Sequence, residues 1–420
     1  MNRLMRVQLP YGRSRLTSTI SRSKAKYVKS KQWKAADQHK RVADALRHPF
    51  GSPRLLNLAR HSERTVIVTC DKTRGVPSKI TLPVIVKELK AGGMKGEVTV
   101  LIATGLHRDE TINDVRERFG RKLTDQLQVI IHDSDDEDEL VFKGTLPSGT
   151  PLYLNKSVVE SDLIIIESTV EPHFFAGFTG GSKVILPGVA GTRTVLCNHN
   201  WQNIDNPKSR YGNLDNPIRA DSNATLKLLK KKTFALNLVL DSQKRIVHAT
   251  AGHPLESFNR TAKKVIQHSR IFVRDRPDVV ITSNGGYPLD RNLYQCVKGI
   301  AAPEQITRDS SRIIMVSECA DGVSHGAFKE LLLAGSPSEI YAKLQSGDTV
   351  RDQWEAQVLC RILLKNQVWF VTRRELKSEI ERMHMHYAST IPEALSSCNA
   401  TKEDRILVAP EGPSLILKTA

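Results

Sequence analysis

At 420 residues the chain is long enough for two or three domains of about 100–200 residues, each with its own core. With 40% hydrophobic and 25% charged residues it is an ordinary globular chain, which excludes a disordered, collagenous or coiled-coil protein, and no apolar run approaches the ~18 residues of a membrane span. Lys and Arg outnumber Asp and Glu by 62 to 45, and the resulting +17 favours anionic partners.

Much of the excess charge lies at the N-terminus, where Arg13, Arg15, Arg22, Lys24, Lys26, Lys29, Lys31 and Lys34 face only Asp37 and Asp44. A nucleic-acid arm and an Arg-rich targeting segment are two readings of it. The near-helical spacing of Trp33, Ala35, Ala36, Val42, Ala43 and Leu46 favours a third, an amphipathic helix with a solvated basic face. Cys70, Cys197, Cys296, Cys319, Cys360 and Cys398 are widely separated, with no CxxC pair and no secretory apolar region behind Met1. This points to a cytoplasmic protein and away from a zinc ribbon or disulfide framework.

Short β-rich runs then recur: Thr65–Cys70, Val98–Ala103, Val129–His132, Leu163–Glu167, Val279–Thr282, Ile313–Val316, Val368–Val371 and Ile406–Val408. Being continuous rather than alternating, they predict strands buried on both faces, as in parallel sheets. Helical stretches such as Ile80–Lys90 and Ile112–Leu127 separate them, so the fold class is α/β with mostly parallel sheets flanked by helices. The strands fall into two groups, which predicts an N-terminal domain over 1–270 and a C-terminal domain over 275–420. Arg270–Pro277 is the linker, and the active site lies in the cleft between the domains. His199–Thr250, with its Asn-Pro and Tyr-Gly turn signals, is expected to wrap the first domain or to line the cleft.

In open α/β sheets ligands bind beyond the carboxyl ends of strands, and here those ends are polar. The first delivers Asp71, Lys72, Thr73, Arg74, Gly75, Val76, Pro77 and Ser78, and the second delivers Thr104, Gly105, Leu106, His107 and Arg108. The fourth leads through Glu171, Pro172 and His173 to a glycine-rich loop, Gly177 to Lys183. Such loops cradle phosphate through free backbone N–H groups, with a tight structural turn as the plain alternative. Ser182 and Val184 stand where a P-loop has its second Gly and its Ser or Thr, and no G-x-G-x-x-G follows a strand, so neither a nucleoside-triphosphatase nor an ordinary dinucleotide site is expected.

His107 and His173 follow different strands, and two histidines facing one crevice suit an acid and a base on opposite faces of a substrate, as inversion of a stereocentre requires. His199 has no neighbouring ligand cluster, so a metal there needs a cofactor to supply the other donors. In the second group Tyr294 and Lys298 are one helical turn apart with Gln295 between them, and Lys298 with Arg74 spans a cleft in a way that suits a carboxylate. Trp354 reads as a pocket wall or a core anchor.

Together these segments resemble the nickel-pincer-dependent lactate racemases and their 2-hydroxyacid racemase and epimerase relatives. The matching residues are Asp71 to Ser78, Ala103 to Arg108, Glu171 to Gly188, Asn198-His199, Ser283 to Lys298 and Asp352-Gln353-Trp354, in the family's order over nearly the whole chain. The resemblance implies a nickel-pincer nucleotide (nickel pyridinium-3,5-bisthiocarboxylate mononucleotide), tethered through a thioamide to Lys183. Its carbon and two sulfurs hold nickel, and His199 fills the fourth position. It implies hydride transfer through a planar 2-oxoacid, with His107 and His173 exchanging the hydroxyl proton. It also implies cofactor contacts from Asp71, Lys72, Thr73 and Arg74, and a substrate site of Arg74, Tyr294, Gln295, Lys298 and Trp354. The expected partners are a small 2-hydroxycarboxylate and the proteins that build the cofactor, with no membrane, no nucleic acid and a homodimer left open.

Lys72 and Gly75 stand where the family's lactate racemase motif has His and Pro, and Ser182 where it has a basic residue. These departures touch substrate choice more than reaction class. The alternatives are a C2 epimerase of a sugar acid or larger hydroxyacid with the same chemistry, a basic nucleic-acid-binding protein, and a homologue that binds hydroxyacids without turnover. His325, in a loop after Asp321, is a further pocket candidate with an equally plain structural role.

Overall fold

The β-branched runs predicted as strands build the two sheets on which the molecule is organised. The computed structural model describes residues 4–21, 25–34, 36–107, 110–324 and 326–420; Arg22, Lys24, Ala35, Arg108 and His325 lie outside them.

The basic N-terminal segment differs from the expected helix. Strands β1 (Leu4–Tyr11) and β2 (Ser14–Ser21) form an antiparallel hairpin, and β3 (Ala25–Tyr27) is extended. The physical reason is a period of two: Val7 and Leu9 on one strand and Ile20 on the other point inward while their neighbours face solvent. Only Gln38–Arg47 is helical, started by the Asp37 side chain accepting from the Lys40 N–H and burying Val42, Ala45 and Leu46. Trp33 precedes this helix and stacks on His268, ring centroids 3.6 Å apart.

The first sheet takes β4 (Arg64–Cys70), β5 (Glu97–Ala103) and β6 (Gln128–Ile131) in parallel. A side hairpin, β7 (Leu140–Thr145) and β8 (Pro151–Asn155), precedes β9 (Leu163–Thr169). The short pair β10 (Pro172–His173) and β11 (Gly177–Phe178) leaves the end of β9, and β12 (Lys232–Leu240) and β13 (Ile246–Gly252) complete the sheet in the order β13-β12-β9-β4-β5-β6. Only β13 runs antiparallel. β9 is buried along its whole length, and each of Ile164, Ile165 and Ile166 stabilises the fold by roughly 1.5–3 kcal/mol through burial. The stretch expected as one helix over 112–127 is two, Ile112–Phe119 and Arg121–Gln126, broken at Gly120 where φ is +85°.

The second sheet contains β15 (Val279–Ser283), β16 (Arg312–Val316), β17 (Gln367–Val371), β18 (His386–Ala388) and β19 (Ile406–Ala409), all parallel, in the order β18-β17-β16-β15-β19-β3. The predicted linker is itself partly a strand: β14 (Arg270–Val273) pairs in parallel with β20 (Ile416–Thr419). Sheet membership also differs from a first unit beginning at residue 1. β3 pairs with β19, and Val7, Leu9 and Ile20 pack on Val279, Ile281, Ile314 and Val316, so the N-terminal hairpin belongs with the second sheet. Among the described residues no helix is long and apolar enough to cross a membrane.

Candidate active site

The ends of β4, β5 and β9 open on one side of a cavity, and the helix Leu293–Ala301 with the start of the helix Gln353–Leu363 closes the other. Eleven of the twelve predicted site residues line it: Asp71, Thr73, Arg74, His107, His173, Lys183, His199, Tyr294, Gln295, Lys298 and Trp354. Lys72 is the exception, because its backbone N–H donates to Glu110 and its ammonium pairs with Asp114 at 3.1 Å, away from the cavity.

Asp71 is buried at the end of β4 and accepts from the Thr73 N–H and hydroxyl, which starts the short helical turn Lys72–Arg74. Its other oxygen meets His107 Nδ1 at 2.7 Å. Burial pushes the Asp71 carboxyl up, but the His107 and Thr73 hydrogen bonds and the Arg74 charge outweigh it and hold the group below its ordinary value. Asp71 therefore orients His107, whose side chain remains 42% exposed. Gly75 ends the turn at φ +61°, a conformation closed to the proline of the family motif.

His173 is held differently. It is buried between Phe174 and Phe175, and its Nδ1 accepts from the Ala176 N–H at 3.3 Å. Burial, then the charges of Lys183, Arg74 and Lys298, drive its pKa well below the ordinary value, so the ring is neutral. Lys183 sits on the turn Gly181–Val184, where burial and the cations Arg74, Arg219 and Lys298 push its amine well down. Glycine is required in the approach to that turn: a Cβ on Gly177 would stand 1.9 Å from Asn213 O, and one on Gly180 2.4 Å from Thr169 O, both at positive φ. Arg219, buried beneath the loop, donates to the carbonyls of Phe178 and Gly180 and stacks over Phe258.

His199 caps the helix Thr192–Asn198 and lies edge-on to Phe175 and Trp354. Its Nδ1 meets Asn198 Oδ1 at 2.9 Å, and the Asn198 amide is oriented by donating to Asp221 at 3.0 Å. Nδ1 thus carries the proton and Nε2 keeps a free lone pair, the state a metal-ligating imidazole needs. Burial and then Lys183 lower this histidine to about 3, so it is neutral. Among the described residues no three His, Cys, Asp or Glu groups stand together as a metal site. The donor set fits a metal that arrives with its other ligands, and Lys183, Arg74 and Lys298 fit an anionic group around it.

On the opposite wall, Asn292 caps the helix Leu293–Ala301 through the Gln295 N–H. Tyr294 donates to Asp352 at 2.9 Å, and the Lys298 ammonium donates to Gln295 Oε1. Asp352 holds φ at +62°, a strained conformation that starts the helix carrying Trp354 toward the cavity. Sequence reasoning did not single out Glu171, 3.8 Å from Arg74, or Glu355, which follows Trp354; both line the cavity. Glu171 opens one of the matching segments and Glu355 directly follows another, which was their only signal.

Residues 11–212 match the lactate racemase N-terminal domain and residues 273–417 the lactate racemase C-terminal domain. A lactate racemase from Thermoanaerobacterium thermosaccharolyticum is 39% identical, with 98% of this chain and 99% of that protein aligned. The chain belongs to the lactate racemase family, and it is an isomerase. The family's lactate racemase from Lactiplantibacillus plantarum is 33% identical over 99% of this chain and all of its own length. The structure of the lactate racemase apoprotein from T. thermosaccharolyticum superposes with a TM-score of 0.95 at 38% identity, covering 99% of this chain and 100% of that one. A Thermotoga maritima protein at 18% identity, TM-score 0.65, covering 91% of this chain and 98% of its own, shares the fold.

Proposed function

We propose that this member of the lactate racemase family inverts C2 of lactate or a lactate-like 2-hydroxycarboxylate, in the cleft between a first unit ending near residue 270 and a second beginning near 275. The observation that carries the reading is the convergence of two differently held histidines, His107 and His173, on a cavity that also presents Lys183, His199, Arg74 and Lys298.

Asp71, Thr73 and Arg74 would contact the nickel-pincer nucleotide, Lys183 would carry it covalently, and His199 Nε2 would complete its metal coordination. When bound, that group supplies a hydride acceptor, so that no carbanion need form beside a carboxylate. Arg74 and Lys298, with Gln295 holding the Lys298 ammonium, take the substrate carboxylate from the two sides of the cleft. Tyr294 and Trp354 shape the wall and exclude water.

Arg74 and Lys298 are two of the cations that oppose a proton on His173. A substrate carboxylate between them cancels that field, so His173 becomes basic enough to take a hydroxyl proton only when substrate is present. At the other face Asp71 holds the His107 ring in orientation through Nδ1. One histidine would remove the hydroxyl proton and the other would return a proton from the opposite face, while the bound group would supply the hydride chemistry between these two transfers.

The test is intact-mass and metal analysis of protein co-expressed with the cofactor-building proteins, followed by a chiral assay on D- and L-lactate. An adduct at Lys183, about one nickel per chain and equilibration of the two enantiomers are expected. Turnover of a sugar acid in place of lactate would keep the chemistry and change the substrate, whereas a chain left unmodified where a known family member is loaded would overturn the reading.

A further inference from the structure

Glu355 is 2% exposed, lines the cavity and lies on the first turn of the helix Gln353–Leu363. Among the described residues no group donates a hydrogen bond to its buried Oε2. A buried carboxylate oxygen left unbonded costs stability unless something else requires it, and this one borders a site proposed to receive a carboxylate. Every charged neighbour that acts on it bears on that site. Lys298, from the helix Leu293–Ala301, and Arg74, from the end of β4, attract its negative charge, while Asp352 on its own segment repels it. Tyr294 and Tyr211 also feel its charge, but burial holds both phenols well above their ordinary value, so they stay neutral.

We propose that Glu355 and an incoming 2-hydroxycarboxylate compete for the cations Lys298 and Arg74 at this cavity, so that the ligand is bound with Glu355 protonated. Resting on the proposed function, this deepens it by making substrate binding proton-linked. The charge count requires it: with the substrate carboxylate between Arg74 and Lys298, an ionised Glu355 would be a second anion in a water-poor cavity sharing the same cations. Burial already pushes the Glu355 carboxyl up to about 8, with Lys298 only partly offsetting it.

The sign follows by linkage. The pKa of Glu355 is higher in the complex than in the free protein, so binding is at full strength below about pH 8 and weakens as pH rises through that value. The loss is roughly ten-fold per pH unit until the pKa of the complex is reached. Lys298, itself lowered by burial, is the competing source of such a dependence, and removing Glu355 separates the two.

The experiment is calorimetry of cofactor-loaded protein with racemic lactate, which undergoes no net conversion, in two buffers of different ionisation enthalpy between pH 7 and 9.5. Wild type is expected to take up about one proton per lactate bound near pH 9, and Glu355→Gln none, with an affinity nearly independent of pH. Should the Gln variant fail to fold, Glu355→Met makes the same comparison. Binding without proton uptake by wild type, or uptake that persists without Glu355, overturns this inference and leaves the racemase reading intact. Uptake on binding with no racemisation overturns the racemase reading alone, and the absence of lactate binding overturns both.

Discussion

On the wall supplied by the first sheet, His173, Lys183, His199 and Arg219 are basic groups to which no carboxylate is bonded among the described residues. On the facing wall Lys298 lies in the field of Glu355, and Tyr294 donates to Asp352. The contrast shows two ways of preparing a site for anions. Unpaired basic groups in a dry wall are driven toward neutrality, which leaves the Lys183 amine and the His199 Nε2 with free lone pairs. On the facing wall Glu355 offsets part of the burial that lowers the Lys298 ammonium. The first arrangement suits groups that must form bonds, and the second suits a ligand that comes and goes.

The comparison breaks most completely at Lys183. Lys183→Ala should leave the chain with unmodified mass under conditions that load the wild type. Lys183→Arg sharpens the point, since it keeps a cation but has no nucleophilic amine and should also stay unmodified. His107→Ala and His173→Ala should each lower racemisation by about 10²–10⁴-fold in a chiral assay while the attached mass remains. Retained inversion by either variant would remove the two-histidine mechanism.

A smaller effect concerns stability, because His132, His173 and His248 are all pushed below their ordinary value by burial, His248 to about 4. Depressed folded-state values mean that their neutral forms contribute stability present above about pH 6.5 and lost as pH falls toward the folded-state values. The urea midpoint should therefore be lower at pH 5 than at pH 7, with hydrogen exchange locating the loss in the first sheet. The smallest effect is expected at the rim, where Arg351 bridges the units by donating to Asp135 and to Thr192 at 2.9 Å. Both charges are about one-third exposed, so Arg351→Ala should cost less than about 1 kcal/mol in thermal unfolding. A change in substrate KM without a change in Tm would assign this bridge to cleft closure.

Much of this was legible before any coordinates. Each continuous apolar run became a parallel strand within a residue or two of its predicted ends, because burial on both faces leaves little freedom of composition. The polar strand ends led directly to Asp71, His107 and His173, and the helical spacing of Tyr294, Gln295 and Lys298 placed them on one wall. The misses have physical reasons. The N-terminal segment was read at a helical period from residues near Trp33, while the alternation that governs it lies upstream in Val7, Leu9 and Ile20. Lys72 shares a motif with Asp71 and Arg74, but a 3-10 turn sends its neighbours' side chains to the cavity and its own to Asp114. Glu355 looked like any helical glutamate, since its burial comes wholly from partners distant in sequence.

By itself, then, the sequence determined the strands, the α/β class and most of the polar residues that line the cavity, because strand burial and short motifs are local properties of residue type and spacing. Only the tertiary structure decided which sheet the N-terminal hairpin joins, which basic groups are left without an acid partner, and that Glu355 and Lys298 line one cavity. Those outcomes depend on desolvation and on charges brought together across the cleft, and neither is written in the spacing of any one segment.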